Sequence, residues 1–348
     1  MQGPANRGNR LAMRRGTKRS SEALRVGDVG EQGLLERIAA RFGRFKAPGV
    51  LVSIGDDAAV LKQIGPGAVL STDMLVEGVD FDFAWTSPTD VGAKAAAANL
   101  SDLAAMGAKP RCLMLSLGLR THDRVKDVLA LMTAFAAVGR PLGAPLVGGD
   151  LSRVDGPLVV SVTVIGEGLV RRLLRRHYAR AHDIVLVSGA LGGAAAGLAL
   201  LRAGRRTPRQ LVARQLRPRA QVALGLALAR SGLVTSAADI SDGLAKDALH
   251  LVPPHLGVEL LRAQLPLAPG LAVAAKSLGA DPLAWALSGG EDFELALTVR
   301  PCDVVRAQRL AARVGETLTP VGTVVARPGL SVVGSTLPRG GFDHFQSG

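Results

Sequence analysis

Six short acidic islands punctuate this 348-residue chain: Gly55-Asp56-Asp57, Ser71-Thr72-Asp73, Asn99-Leu100-Ser101-Asp102, Gly148-Gly149-Asp150, Asp239-Ile240-Ser241-Asp242-Gly243 and Ser288-Gly289-Gly290-Glu291-Asp292. Their carboxylates fall where strand ends, glycine turns and helix starts are expected, and open α/β folds can bring such positions to one sheet edge. Asn99 and Asp102, three apart on a predicted helix, share a face. Asp239 and Asp242 flank a predicted helix start, where Ser241 can cap and free backbone N–H groups could hold an anion. Hard oxygen donors without a paired-His motif or a Cys cluster suit Mg²⁺, which keeps water and takes substrate phosphates as ligands. A single Asp at a turn or cap has an ordinary structural reading. Six islands in one chain argue for a shared site.

The elements that must position them alternate between strand and helix. An amphipathic helix fits 31–42, with Leu34, Leu35, Ile38 and Ala39 on one stripe. Strand-like runs follow at 50–54, 58–61 and 68–72. Ser87-Pro88-Thr89-Asp90 is a capping-box start for an Ala-rich helix that ends near Met106. A strand over 112–117, a helix over 121–138 and strands at 145–147 and 158–165 complete a first unit. A second unit holds a strand at 184–187, helices at 193–203, 218–231 and 242–252, and strands at 293–299 and near 320–325. The expected organisation is a basic tail at 1–25, an α/β unit at 26–167 and a second at 168–348. The fold class is α/β (α+β), with mixed sheets covered by helices.

Charge distribution matters more than its sum. Residues 1–21 carry six basic residues and no acid, and 168–238 carry 13 Arg against Asp183 alone. Together these exceed the whole net charge of +13 and leave the remainder at −5. A nucleic-acid binder would interleave its basic stripe with aromatics, yet only Tyr178 lies within 168–238. Two cysteines, Cys112 and Cys302, are too few for a disulfide scaffold and fit a reducing, cytoplasmic setting. The uncharged run 184–201 breaks at Ser188-Gly189 and Gly192-Gly193 into a strand, a turn and a helix, so no membrane span is expected. Walker, kinase and complete dinucleotide-binding motifs are absent. None of the six histidines forms a metal pair.

Taken in order, the islands and the closing Gly341-Phe342-Asp343-His344-Phe345 resemble those of thiamine-monophosphate kinases. That family's superfamily includes aminoimidazole ribonucleotide synthetase and selenophosphate synthetase. The resemblance runs from Gly30-Glu31 to Phe345. It implies a two-domain fold whose N-terminal half forms a homodimer sheet. It also implies direct, in-line transfer of the ATP γ-phosphoryl group to thiamine monophosphate with several Mg²⁺ ions. Carried over by position, Asp57, Ser71, Thr72, Asp73, Asp102, Asp150, Asp239 and Asp242 form the metal shell. Asp73, Asp102, Asp150 and Asp242 are the catalytic set within it. Gly149, Asp150, Arg176 and Ser241 meet ATP, while Asp80, Glu291 and Phe342 meet the thiamine end.

Two positions depart from the family pattern. Asp80 stands where the family usually has a substrate-side His, and Gly193 where many members have Asp. Lys94 matches a family lysine, either as a phosphate contact or as half of a buried ion pair. A selenophosphate-synthetase-like activity would want a reactive Cys and Lys in an N-terminal Gly-rich loop, which this sequence lacks. A basic nucleic-acid-binding protein would match the net charge but not the shortage of aromatics. A catalytically silent nucleotide sensor would have no need of the full acidic set.

Overall fold

A computed structural model of the chain describes residues 24–43, 49–52, 54, 59–62, 65, 67–168 and 170–335. Residues 1–23 of the expected tail, Asp57 and Phe342 lie outside the described residues. The first helix, α1 (Val26–Phe42), kinks at Gly30, whose φ is 65°, and buries Leu34, Ile38 and Phe42. The short strands β1 (Val50–Val52) and β2 (Val60–Leu61) pair antiparallel. Then come β3 (Ala68–Val76), α2 (Pro88–Ala105), β4 (Lys109–Leu119), α3 (Val125–Gly139), β5 (Leu146–Arg153) and β6 (Val159–Glu167). Their sheet has the order β3-β6-β4-β5, with only β4 and β5 parallel.

The second unit contains β7 (Ile184–Ser188), α4 (Gly193–Arg202), α5 (Arg209–Leu216), α6 (Val222–Ser231), β8 (Val234–Ile240) and α7 (Leu244–Asp247). It continues through β9 (Gly257–Leu261), α8 (Leu271–Leu278), α9 (Pro282–Ser288), β10 (Glu294–Val299), α10 (Val304–Arg313), β11 (Leu318–Val325) and β12 (Gly329–Val333). Its six strands run β12-β9-β11-β7-β10-β8, and only β12 and β9 are parallel. Strand β7 and helix α4 split the apolar run as expected. Among the described residues, no helix is long and apolar enough to cross a membrane.

Helix α2 joins the two units. Ser87 accepts from the Asp90 N–H while the Asp90 carboxylate accepts from the Ser87 N–H, and Pro88 presets the first turn. Its alanines let neighbours approach on nearly every side, so Val91, Ala95, Leu100, Leu103 and Ala104 are fully buried. Gly92 lies against the Leu131 carbonyl of α3, and Gly225 of α6 against the Ala104 carbonyl of α2. One apolar core therefore runs from β4 and β6 through α2 and α6 to β10 and α10.

Several expected elements differ. Asp73 and Asp150 lie within strands, because β3 continues to Val76 against β6 and β5 continues to Arg153 along β4. The helix expected over 242–252 is one α-helical turn followed by a 3-10 turn, Ala248–Leu251. Its remaining length is curtailed by Pro253-Pro254. Pro218 separates α5 from α6, so the expected helix at 218–231 starts later. Strand β8 is an addition to the expected set, since Val234-Thr-Ser-Ala-Ala-Asp-Ile240 lacks strict alternation; its last five residues are all buried.

A Cβ at Gly225 would collide with the Ala104 carbonyl oxygen, so Gly225→Ala forces α6 away from α2. Urea unfolding should show a loss of about 1–3 kcal/mol, the usual range for overpacking.

Candidate active site

Lys94, Ala98 and Asp102 fall one helical turn apart on α2 and line one side of a cleft of about 340 Å³ between the two units. At the Asp102 end stand Asp73 from β3 and Asp239 from the end of β8. Ser71 donates to Asp102 at 2.5 Å, Ser101 donates to Asp239 at 2.9 Å, and the Arg176 guanidinium lies 3.8 Å from Asp239. The Asp73 N–H donates to the Asn99 side-chain oxygen at 3.1 Å, fixing β3 on α2.

Burial, then repulsion from Asp102 and Asp80, pushes the Asp73 carboxyl up to about 6. Burial and the Asp102 charge push Asp239 up to about 7, against the Ser101 hydrogen bond and Arg176. Asp102 is also raised, chiefly by burial. Asp102 raises both neighbours while Arg176 opposes the rise at Asp239, and such a gathering of carboxylates suits divalent cations. Among the described residues, no three His, Cys, Asp or Glu side chains already form a closed metal-ligand set.

The loop after β8 is shaped by a residue that sequence reading missed. One Asp247 carboxylate oxygen accepts the N–H groups of Ser241, Asp242 and Gly243 at 3.0, 2.9 and 3.0 Å. The N–H groups read as free for an anion are therefore taken, which corrects that expectation. With its backbone so fixed, the loop presents Ser241 and Asp242 to the cleft, where Lys246 lies 2.6 Å from Asp242.

At the other end of the α2 stripe, Lys94 lies 2.5 Å from Glu291 and donates to the Asp80 carbonyl at 3.1 Å. Lys94 thus takes the buried-ion-pair reading of its two. Gln215 donates to the second Glu291 oxygen at 2.8 Å. Asp80 lines the same end, its carboxylate accepting the Val76 N–H at 2.8 Å. Gly290, Glu291 and Phe293 have φ of 68°, 58° and 50°, a region unfavourable for Glu and Phe. Hydrogen bonds from the Glu291 N–H to the Ser241 carbonyl and from the Phe293 N–H to the Ile240 carbonyl hold that conformation. They also tie the Glu291 loop to the Asp242 loop.

Just behind, Asp292 accepts from the Gly192 and Ala194 N–H groups at the start of α4. Glu294 accepts from Ser188 and Gln221 at 2.5 and 2.9 Å. At Gly193, the departure noted in the sequence, the Arg214 side chain fills the space a Cβ would need.

Gly149 and Asp150 are not in this cleft. Register runs Asp73–Val162–Leu115–Gly149 across the sheet, which puts the two edges three strand spacings apart, roughly 14 Å. Gly149 and Asp150 line a second cavity of about 580 Å³ with Ile54 and Ala59, the described residues nearest Asp57 on either side. Thr72 also turns from Ser71, donating to the Val162 carbonyl and meeting Thr163.

The family models for the AIR synthase related protein N-terminal and C-terminal domains match residues 55–168 and 180–335. The thiamine-monophosphate kinase of Rhodopirellula baltica is 34% identical over 311 residues, 86% of this chain and 91% of that protein. The crystal structure of thiamine-monophosphate kinase from Stenotrophomonas maltophilia is 34% identical with a TM-score of 0.77, covering 89% of this chain and 98% of that one. AaThiL complexed with AMPPCP and TMP is 31% identical with a TM-score of 0.72, covering 92% and 99%. The chain belongs to the thiamine-monophosphate kinase family. Its two domains have the AIR synthase related fold that the resemblance implied. The hydrogenase maturation protein HypE, at 20% identity and a TM-score of 0.72, shares that fold alone.

Beyond the residues given a role by the resemblance, the cleft also uses Ser101 from within the Asn99–Asp102 island, and Gln215, Trp85 and Arg202 from outside the motifs. Ser101 adjoins Asp102 in sequence and could have been found there. Gln215, Trp85 and Arg202 carry no local signal.

Two outcomes follow from these contacts. Asp247→Ala leaves three loop N–H groups without their acceptor, and it should lower stability by about 1–3 kcal/mol in denaturant unfolding. Burial holds the Glu294 carboxyl up to about 7 from its ordinary 4.5, so the folded chain binds more protons than the unfolded one in that window. The stability this group contributes is complete below 4.5 and lost as pH rises through about 7. The melting temperature of Glu294→Gln should fall less over that pH range than that of the parent.

Proposed function

We propose that this chain transfers the γ-phosphoryl group of ATP to thiamine monophosphate, giving thiamine diphosphate and ADP. The single observation that carries the reading is the two-ended cleft. Asp73, Asp102 and Asp239 gather at one end of the α2 stripe, and Glu291 with Lys94 and Asp80 at the other. An elongated acceptor with a phosphate at one end and an amino-heterocycle at the other suits such a cleft. The relatives' name and the AMPPCP and TMP complex of AaThiL support the choice of substrates.

In this reading Asp73, Asp102, Asp239 and Asp242 hold Mg²⁺ in the cleft, with Ser71 orienting Asp102. Asp57, Thr72 and Asp150 join the metal set by the resemblance alone, since Thr72 turns from Ser71 and Asp150 lines the second cavity. When bound, Mg²⁺ neutralises phosphate charge and stabilises the charge of the transferring group. Arg176 and Ser241 would serve ATP at the cleft, Gly149 is assigned to ATP by the resemblance alone, and Glu291, Asp80 and Phe342 would serve the thiamine end. An acceptor phosphate oxygen bonds to the γ-phosphorus as the γ-phosphorus–oxygen bond to ADP breaks. That attacking oxygen is already anionic, so no side chain must remove its proton. Positioning and electrostatics supply the catalysis.

The proposed division near residue 167 gives each unit one wall of the cleft. The outer face of the first sheet leaves Leu70 64% and Met74 59% exposed, which supports a homodimer pairing these N-terminal sheets. The unpaired Cys112 and Cys302 support a cytoplasmic setting.

The test is ADP and thiamine diphosphate formation from ATP, Mg²⁺ and thiamine monophosphate. Asp73→Asn should lower turnover by about a hundredfold or more. No thiamine diphosphate from the intact protein would overturn the reading, and ADP release without the acceptor would favour another ATP-dependent activity.

A further inference from the structure

Lys94 is the one cation of the α2 stripe. It is 4% exposed, and burying an ammonium demands partners that replace its water. Those partners come from both units: the Glu291 carboxylate in the second and the Asp80 carbonyl in the first. Glu291 is held in turn by Gln215, which is 2% exposed and leaves its own Oε1 without a partner. A buried amide that satisfies its donor at the expense of its acceptor is oriented by Glu291 rather than by its own needs. Both Glu291 oxygens are therefore anchored, one from α2 and one from α5, and the side chain remains 32% open to the cleft.

We infer that Lys94 is a positioning residue for the acceptor substrate. Its ammonium bridges the two units and fixes the direction in which Glu291 presents its remaining lone pairs. A free glutamate would sample several rotamers and take a like fraction of its encounters in the wrong orientation. The backbone agrees, since Glu291 sits at a φ of 58° that only the surrounding contacts maintain. Lys94 also lies eight residues from Asp102, about 12 Å along the helix. Its effect should therefore fall on the acceptor's ring end and spare the acidic end. The inference rests on the proposed phosphoryl transfer for its kinetic consequence, and on the ion pair alone for its structural one.

The test compares Lys94→Met, Lys94→Arg, Glu291→Gln and the Lys94→Met/Glu291→Gln double variant with the parent. Lys94→Met should raise KM for thiamine monophosphate at least about tenfold, the lower range for unpairing a charge-assisted buried contact. Its kcat and KM for ATP should change less than about threefold, and Lys94→Arg should recover part of the loss. The double variant should be little worse than Glu291→Gln alone. An unchanged acceptor KM in Lys94→Met, or equal increases in both KM values without recovery in Lys94→Arg, would overturn the assignment. Absence of product from the parent would instead end the phosphoryl-transfer reading. Thermal unfolding of the same four variants without substrate examines the pair separately. Melting shifts that simply add would show that Lys94 does not act through Glu291, and non-additive shifts support it. Should Lys94→Met not fold, Lys94→Arg and Glu291→Gln carry both measurements.

Discussion

Everything in the cleft depends on burying α2 between two sheets. A helix enclosed on nearly all sides cannot carry large residues everywhere, and its run from Ala95 to Ala98 supplies the required smallness. Gly92 and Gly225 then set how near α3 and α6 approach. Because the same helix supplies Lys94 and Asp102, the packing that closes the core also fixes the cleft's length. The alanine stretch and the site are one constraint, seen from the core and from solvent.

The acids divide by what they accept. Asp247 and Asp292 receive backbone N–H groups, at the loop after β8 and at the start of α4 respectively. Both are pushed up to about 6 mainly by burial, and the N–H groups oppose that rise. They hold the loops. Burial raises Asp73, Asp102 and Asp239, the Asp102 charge adds to the rise of the other two, and few side-chain donors reach them, so their unspent capacity faces the cleft. Bracing acids and site acids lie within a few residues of each other, and the difference between them is geometric.

That explains how far the sequence could be read. The islands were legible because Asp beside Gly or Ser is a local pattern, and most of them do meet at the cleft. Asp247 was not legible, because its partners are backbone groups whose orientation exists only after the loop folds. Asp150 looks equivalent to Asp73 in sequence, yet strand order puts them at opposite edges of one sheet. Strand β8 escaped notice for a related reason. A strand covered on both faces needs no alternation, and small residues suffice where neighbours crowd it.

The same distinction resolves the basic charge. Arginines between 168 and 238 reach across the molecule. Arg176 meets Asp239, Arg217 meets Asp90 at the start of α2, and Arg206 donates to the Trp85 carbonyl. Arg219 pairs with Glu316, and Arg214 donates to the Ala190 carbonyl while filling the space beside Gly193. Exposed pairs of this kind contribute little energy singly. Two of them nonetheless connect the second unit to the segment leading into α2, where they bias the approach of the cleft walls. An arginine committed to a carboxylate or carbonyl has fewer donors left for a polyanion. The positive sum thus overstates the charge available to nucleic acid, and part of it serves to hold one acidic cleft together.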